Sequence, residues 1–189
     1  MAKRYFIFLY PEPGRLKSFL DLAIFLLNPR EKWPAHVTVA GPFPNKNRFR
    51  LTNRRFEKTV FGLGVGNFFQ YQSGTVYIRV GFEEREGVWR KPDFQGQPIP
   101  HMTLFDGPDM EFARKVFAIT ARVNPYFSFP VRGLHVVETV SGQYRADLRE
   151  VVDLSLLDEL HGISHDDVAR LPENRRLTLF EKTLTQAIA

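Results

Sequence analysis

One short pattern occurs twice in this chain, and it constrains the fold more than any other feature of the sequence. Residues 34–42 read PAHVTVAGP, and residues 100–108 read PHMTLFDGP. In both copies a proline precedes His-x-Thr, an aliphatic residue follows it, and Gly-Pro ends the pattern. Side chains alternate between the two faces of a β-strand, so positions i and i+2 share a face. The repeat therefore predicts two strands that each present an imidazole beside a hydroxyl: His36 and Thr38 on the first, His101 and Thr103 on the second.

Apolar periodicity predicts the elements that surround these two motifs. Residues 4–10 are apolar on both faces, as in a central strand. Residues 15–27 have apolar side chains at helical spacing, and Asn28-Pro29 ends that helix. The first motif strand spans residues 36–40 and ends at Gly41-Pro42. Further along, the sequence predicts strands at 59–65, 74–82 and 101–105, and residues 62–67 are interpreted as a glycine-rich strand and turn. It also predicts a loop at 83–97 and a helix that begins within residues 106–110.

The last third of the chain predicts a hairpin and a helical extension. Residues 134–140 and 144–156 flank a Ser141-Gly142 turn, which is typical of a β-hairpin. After Pro172, apolar side chains at helical spacing predict an amphipathic helix. We therefore divide the chain into a two-lobed domain, residues 1–155, and a C-terminal extension, residues 156–189, that is helical and packs on the domain.

Composition excludes several classes of protein. With 43% hydrophobic residues and 18 phenylalanines, the chain has enough apolar side chains to fill a core. It has no cysteine, which excludes disulfides, a thiolate nucleophile and cysteine-ligated zinc. The longest apolar run near the N-terminus is too short to cross a membrane and lacks a signal-peptide cleavage site. We expect a cytoplasmic monomer with no membrane partner.

Charge is unevenly distributed along the sequence. The formal net charge is +5, and residues 46–58 hold six basic side chains against the single acid Glu57. Such a basic block suits a polyanionic partner, such as a nucleotide or RNA. A run of charge is equally typical of a solvated surface, and both interpretations stay open.

The two motifs together suggest a chemistry. If both face one cleft, that cleft holds two imidazoles and two hydroxyls. One histidine can remove a proton from a nucleophile while the other supplies a proton to the leaving oxygen, as in-line displacement at phosphorus requires. An ordinary pKa near 6.5 makes both protonation states of histidine accessible at neutral pH. The threonine hydroxyls can donate hydrogen bonds to the non-bridging phosphate oxygens.

Paired His-x-Thr motifs on strands at about this separation resemble the signature of the two-histidine (2H) phosphoesterase superfamily. That superfamily includes RNA 2′,3′-cyclic phosphodiesterases, long called 2′–5′ RNA ligases. The resemblance covers residues 4 to about 154 and both motifs are complete, HVT at 36–38 and HMT at 101–103. It implies a bilobal, pseudo-twofold α+β fold in which two antiparallel sheets flank a central cleft and the helices lie outside.

The resemblance also implies an activity: a metal-independent phosphodiesterase without cofactor, acting on a 2′,3′-cyclic phosphate or a short oligonucleotide. For hydrolysis it implies that His101 activates water and His36 protonates the departing ribose oxygen. For attack by a ribose hydroxyl the two roles are reversed, and the sequence does not choose between them. The catalytic set implied by the motifs is His36, Thr38, His101 and Thr103.

Aromatic and basic residues near the motifs are candidates for substrate binding. Tyr77 and Arg79 share one face of their predicted strand. If that face lines the cleft, Tyr77 can stack on a base and Arg79 can pair with a phosphate. An exposed strand face with a cross-strand pair fits the same pattern. The remaining candidates, which also suit core or rim packing, are Tyr10, Trp33, Phe43 and Phe105.

Other functions remain as alternatives. Within the same class, the protein would degrade cyclic or 2′–5′ oligonucleotide immune signals. In another class, it would be a non-catalytic RNA-binding protein that uses the basic block. A histidine-ligated metallohydrolase needs acidic ligands that the sequence does not place nearby. The remaining histidines, His135, His161 and His165, are expected to be surface residues. Gly162 argues against a helix that would place His161 and His165 on one face.

Overall fold

Two antiparallel sheets organise the chain, and each carries one of the His-x-Thr motifs. A computed structural model describes residues 3–30, 33–44, 57–70, 73–82, 100–140 and 148–189. In these ranges the strands are β1 (Lys3–Leu9), β2 (Val37–Phe43), β3 (Glu57–Gln70), β4 (Ser73–Phe82), β5 (His101–Gly107), β6 (Tyr126–Arg132) and β7 (His135–Val140). The helices are α1 (Arg15–Leu27), α2 (Met110–Val123), α3 (His165–Arg170) and α4 (Glu173–Ile188).

Strand order places the two motifs next to each other. The first sheet has the order β2-β1-β7 and the second has the order β5-β4-β3-β6. All the pairings are antiparallel. Both motif strands, β2 and β5, are therefore edge strands, and they contact each other. The predicted α+β class with two antiparallel sheets is confirmed.

The first motif strand is longer than the sequence indicated. It was expected to end at Gly41-Pro42, but β2 continues to Phe43. A register shift between the Tyr5–Phe43 and Ile7–Ala40 pairs forms a bulge, which accommodates Gly41-Pro42 within the strand. Gly41 has a φ of +118°, which a residue with a side chain rarely adopts. Proline is tolerated because β2 is an edge strand, and edge strands do not need every backbone N–H for pairing.

Helix α1 has the predicted bounds but is more deeply buried than its apolar stripe suggested. Every residue from Phe19 to Leu27 is buried. The cause is α4, which packs against α1. Leu177, Phe180 and Leu184 of α4 belong to the same core cluster as α1. The C-terminal residues thus share the core of the domain, while the proposed boundary at residue 155 stays a prediction.

The predicted C-terminal hairpin is wrong in the part that the structure describes. Strand β7 pairs with β1, from Lys3 opposite Val140 to Phe8 opposite His135. Residues 148–150 and 154–156, which were expected to form the second hairpin strand, are 3₁₀ turns. Residues 141–147 lie outside the described ranges. Helix α4 begins directly after Pro172, as predicted.

Two other sequence predictions lie wholly or largely outside the described residues. These are the loop at 83–97 and the basic block at 46–58, of which only Glu57 and Lys58 are described, at the start of β3. The glycine-rich residues 62–67 form no turn, because β3 runs through them with a register shift between Gly62 and Val65. Among the described helices, none combines the length and the apolar character needed to span a membrane.

Candidate active site

His36 lies immediately before β2, with one side of its ring against aromatic side chains. Its ring stacks on Phe8 of β1, with the centroids 4.0 Å apart and the planes at 26°. Trp33 lies at 5.7 Å on the segment that leads into the motif. Phe8 is itself 3% exposed, so it is a fixed wall of the site.

Hydrogen bonds fix the orientation of His36. Its Nδ1 lies 2.7 Å from the carbonyl oxygen of Pro34. A carbonyl oxygen only accepts, so Nδ1 carries the proton and donates, which leaves Nε2 of the neutral ring with its lone pair. The neighbouring Ala35 N–H donates to Asp21 Oδ1 at 2.7 Å. This buried carboxylate of α1 also accepts from Lys17, and it anchors the segment that carries His36.

The surroundings of His36 favour its neutral form. Burial lowers the pKa of His36 from 6.5 to about 4, and a positive charge on His101 lowers it further. The hydrogen bond to Pro34 acts in the opposite direction. The charge on one motif histidine therefore acts on the other, although 65 residues of sequence separate them. At neutral pH His36 is an uncharged base with Nε2 available to accept a proton.

The second motif lies on β5, beside the strand that carries Tyr77 and Arg79. His101 pairs with Arg79 and Thr103 pairs with Tyr77 across the β4–β5 ladder. Directly opposed residues project from the same face, so these four side chains share one face of the second sheet. The Tyr77 ring lies 4.9 Å from the His101 ring. Arg79 donates to the carbonyl oxygen of Leu63 at 3.1 Å, and its side chain is exposed.

A cavity of about 440 Å³ lies between the two motif strands. His36, Thr38 and Thr103 are among its lining residues, so the cavity brings together groups from both motifs. His101 is not among the lining residues and packs against Tyr77 instead. Most of the wall is apolar, and its aromatic part comes from Phe6, Phe8, Trp33 and Phe105.

A register shift on β5 changes which residue after Thr103 shares its face of the sheet. Strict alternation from His101 would place Phe105 on the motif face. The ladder instead shifts between the Val76–Phe105 and Tyr77–Thr103 pairs. Phe105 is thereby turned into the core, where it is 8% exposed and lies 5.0 Å from the ring of Phe112. Asp106, which the sequence analysis missed, takes the place on the motif face and lines the cavity.

The other predicted binding residues have different surroundings. Trp33 lines the cavity. Phe43 lies at the end of β2, packs against the core and does not line the cavity. Tyr10 lies between the two histidines His36 and His135, with ring centroids 6.3 and 5.0 Å away.

His135 is closer to the motifs than its sequence context suggested. It is exposed, but it pairs with Phe8, which pairs on its other side with Thr38. These three residues form a cross-strand row on the motif face of the first sheet. No signal in the sequence could have shown this, because the strand partner of β7 lies more than 120 residues away.

The two histidines of the C-terminal extension differ from each other. His161 is exposed, as expected. His165 was also expected at the surface but is partly buried, with its Nε2 3.1 Å from the carbonyl of Val152 and its ring against Phe25. No helix spans both, since Gly162 adopts a positive φ and α3 begins at His165. Within the described ranges, no group of three or more His, Cys, Asp or Glu residues is placed to hold a metal ion.

Comparisons with known proteins bear on the family. A solved structure of Kluyveromyces marxianus Usb1 with uridine monophosphate is similar over 75% of this chain and 95% of its own, at 12% identity and a TM-score of 0.37. Among curated proteins, none matches the sequence of this chain. The profile of the 2′-5′ RNA ligase superfamily matches residues 12–143, which include both His-x-Thr motifs. The chain therefore belongs to the 2′-5′ RNA ligase superfamily of 2H phosphoesterases, as its paired motifs indicated.

Proposed function

We propose that this protein is a metal-independent phosphodiesterase that cleaves a nucleotide or RNA phosphodiester by acid–base catalysis with two histidines. Membership of a superfamily of phosphoesterases supports an enzymatic role. The observation that carries the proposal is the shared cavity, to which both motif strands contribute: His36 and Thr38 from one side, Thr103 from the other. The substrate is a 2′,3′-cyclic phosphate or a short oligonucleotide.

The environment of His36 supports a particular division of roles. A neutral imidazole whose Nδ1–H is held by Pro34 presents Nε2 as a base. For attack by a ribose hydroxyl, we therefore assign proton removal from the nucleophile to His36 and proton donation to the leaving oxygen to His101. This is the assignment that the family resemblance implies for attack by a ribose hydroxyl, and it is opposite to the one implied for ring opening by water.

The two threonines complete the proposed mechanism. Thr38 and Thr103 line the same cavity from opposite sheets. Each hydroxyl can donate to a non-bridging oxygen of a phosphate held between the two histidines. Donors aimed at the position where charge develops stabilise the transition state more than the ground state. In this arrangement the threonines bind the phosphate and the histidines move the protons.

A substrate panel tests the proposal. Purified protein is incubated in EDTA with 2′,3′-cyclic nucleotides, 2′–5′ linked oligonucleotides and cyclic oligonucleotides, and the products are identified by mass spectrometry. We expect cleavage of at least one of these phosphodiesters at a rate that the chelator does not change. A parallel preparation of the His36→Ala, His101→Ala double variant controls for contaminating nucleases and should show no cleavage.

Two outcomes would contradict the proposal. A large loss of activity in EDTA that zinc or manganese restores would replace acid–base catalysis with metal catalysis. Retention of RNA binding without turnover of any compound would support the non-catalytic RNA-binding alternative. Cleavage confined to cyclic or 2′–5′ oligonucleotides would assign the protein to the degradation of oligonucleotide signals.

A further inference from the structure

We infer that the open face of the second sheet binds the nucleotides next to the scissile phosphodiester, so that the substrate is a single-stranded RNA chain and not a free nucleotide. The inference deepens the proposed function and rests on it. Its basis is a row of exposed side chains that begins beside His101 and crosses the sheet: Arg79, Leu63 and Tyr126, with Phe61 alongside.

Helix α2 covers one face of the second sheet and leaves the other face open. The helix packs against β3, β4 and β5. Val60 of β3 and its partner Phe129 of β6 are buried, whereas the next pair, Phe61 and Ser128, is exposed. Because side chains alternate between the faces of a strand, the buried pair faces the helix and the exposed pair lies on the opposite face.

The open face is also the face of the second motif. Phe61 pairs with Gly81 on β4, and Arg79, two residues before Gly81, pairs with His101 on β5. Directly opposed residues project from the same face, so Phe61, Arg79 and His101 share one face of the sheet. Neighbouring strands lie about 4.8 Å apart, which places β6 about 14 Å across the sheet from β5. A phosphodiester held at His101 therefore has a continuous protein surface beside it.

Arg79 and Tyr126 meet over a glycine of the strand between them. The point that a Cβ atom on Gly64 would occupy lies 3.4 Å from the Tyr126 hydroxyl and 3.5 Å from Nη2 of Arg79. The same Nη2 donates to the carbonyl oxygen of Leu63 at 3.1 Å, which orients the guanidinium. A guanidinium carries five N–H groups, and this hydrogen bond uses one of them. The row thus presents a fixed cation next to an aromatic ring.

The row also gathers most of the exposed apolar side chains in the part of the chain that the structure describes. Four large hydrophobic residues are exposed there, and three of them are Phe61, Leu63 and Tyr126, at 36%, 43% and 55%. Leu63 pairs with Tyr126, and its Cδ1 lies 3.0 Å from the point that a Cβ atom on Gly81 would occupy. Leu63 therefore belongs to the same face. Exposed apolar side chains gathered in one place mark a binding surface.

The chemistry of the row favours an unpaired nucleic-acid strand over a protein partner. Aromatic rings bind successive bases by stacking, and a neighbouring cation binds the backbone that joins them. Among the four described residues of the row, the only charge is the positive charge of Arg79. The row also begins at His101, where the proposed function places the scissile phosphodiester. The nucleotides adjoining that phosphodiester are the groups that reach it.

Chain length tests the inference. We would measure kcat/KM for a 2′,3′-cyclic mononucleotide and for a hexanucleotide RNA that ends in the same 2′,3′-cyclic phosphate. Stacking of one base on an aromatic side chain corresponds to a factor of about 5 to 150, so the hexanucleotide should be preferred by at least about 5-fold. A hexanucleotide with abasic residues on the 5′ side of its terminal nucleotide keeps the phosphates and should lose most of this preference.

Variants of Tyr126 locate the effect on the sheet. Tyr126→Ala should move the ratio of the hexanucleotide kcat/KM to the mononucleotide kcat/KM toward 1, whereas Tyr126→Phe keeps the ring and should keep the ratio. Val151 provides the matched control, because its exposed fraction is also 55% and it lies outside the strands. Val151→Ala should leave the ratio unchanged. Circular dichroism establishes that each variant is folded.

The possible results separate this inference from the proposed function. Equal kcat/KM values for the two compounds in the wild type, or a preference that Tyr126→Ala leaves intact, would overturn the inference while turnover still supported the proposed function. Hexanucleotide binding without turnover, measured by fluorescence anisotropy and weakened by Tyr126→Ala, would support the binding surface and contradict the proposed function.

Two further results would count against the inference. Self-association of the wild type that Tyr126→Ala disrupts in sedimentation, with no effect of the variant on RNA, would assign the face to a second copy of the chain and overturn the inference. Failure to bind or cleave either compound would overturn both the inference and the proposed cleavage of cyclic ends.

Discussion

At the residue scale, the proposed mechanism depends on the orientation and charge of His36. The ring stacks on Phe8, donates through Nδ1 to Pro34, and lies on a segment that Asp21 anchors to α1. Burial raises the pKa of Asp21, while Lys17 and the Ala35 N–H stabilise its charged form. The buried carboxylate does not touch the cavity, so its role is to position the histidine. Three contacts thus fix the orientation, tautomer and charge of one imidazole.

Titration of His36 by NMR tests this description. Because the folded pKa is about 4, the ring should be neutral at pH 7 with the proton on Nδ1 and should become charged only as the pH falls through about 4. Replacing its stacking partner in Phe8→Leu opens the ring to water and should move the midpoint up toward 6.5. Nitrogen chemical shifts of labelled histidine report both the tautomer and the midpoint. A midpoint at or above 6 in the wild type would contradict the assignment of His36 as the base.

The sequence predicted some of these residues and not others, for a physical reason. Alternation along a strand was enough to predict that each histidine shares a face with its threonine. It was misleading for Phe105 and Asp106, because a register shift exchanges their faces. The sequence analysis did not identify Asp21, whose partner at Ala35 depends on tertiary packing. Local periodicity predicts faces as long as no bulge intervenes.

At the element scale, the β3–β4 pair supports the second motif. Gly66 of β3 lies opposite Tyr77 of β4, whose ring extends over the glycine and reaches His101. A Cβ atom at Gly66 would lie 2.3 Å from the Tyr77 ring, far closer than atoms can approach. The glycine therefore makes room for the ring that packs against the catalytic candidate.

A double-mutant cycle tests this contact. Gly66→Ala should lower the free energy of unfolding by about 1–3 kcal/mol, the usual cost of overpacking. In a Tyr77→Ala background the ring is gone, and the same alanine should cost much less. Urea denaturation of the wild type, the two single variants and the double variant gives the coupling free energy between positions 66 and 77. Equal costs in the two backgrounds would show that the glycine is required by something other than the tyrosine ring.

Element prediction succeeded where the determining signal is local. Helix α1 ends as predicted at Asn28, and the expected helix after the second motif is present as α2, with Asp109 as its cap. The C-terminal hairpin was wrong because a turn-like Ser141-Gly142 does not say which strand lies alongside. The partner of β7 is β1, and the pairing closes a loop of more than 120 residues. Long-range strand pairing is set by the whole core and not by the turn.

At the scale of the whole molecule, the proposed function depends on two edge strands. β2 and β5 belong to different sheets and contact each other only because the sheets pack with these edges together. Neither sheet alone contains both histidines. The repeated motif in the sequence predicted two such strands, and the inferred chemistry required both to face one cleft. The depth of the cavity and the residues that line it depend on α1 and on the aromatic side chains of β1, which the repeat does not specify.

The central claim is that the two histidines form one catalytic pair, with His36 as base and His101 as acid when a ribose hydroxyl attacks, and with the roles exchanged when water opens a 2′,3′-cyclic phosphate. The most direct measurement compares His36→Ala and His101→Ala on a 2′,3′-cyclic nucleotide and on a nucleoside 3′-(4-nitrophenyl phosphate), whose leaving group departs without a proton. Each variant should lose about 10²- to 10⁴-fold on the cyclic nucleotide. On the nitrophenyl compound, His101→Ala should recover to within about 10-fold of the wild type, while His36→Ala stays impaired.

The exposed His161 supplies the matched control for this measurement, since His161→Ala makes the same change outside the cavity and should retain full turnover on both compounds. Circular dichroism of each variant establishes that it is folded. Recovery of His36→Ala in place of His101→Ala would exchange the two roles. Turnover of the cyclic nucleotide near the wild-type rate by both folded variants would contradict the claim that the repeated motif is a catalytic pair.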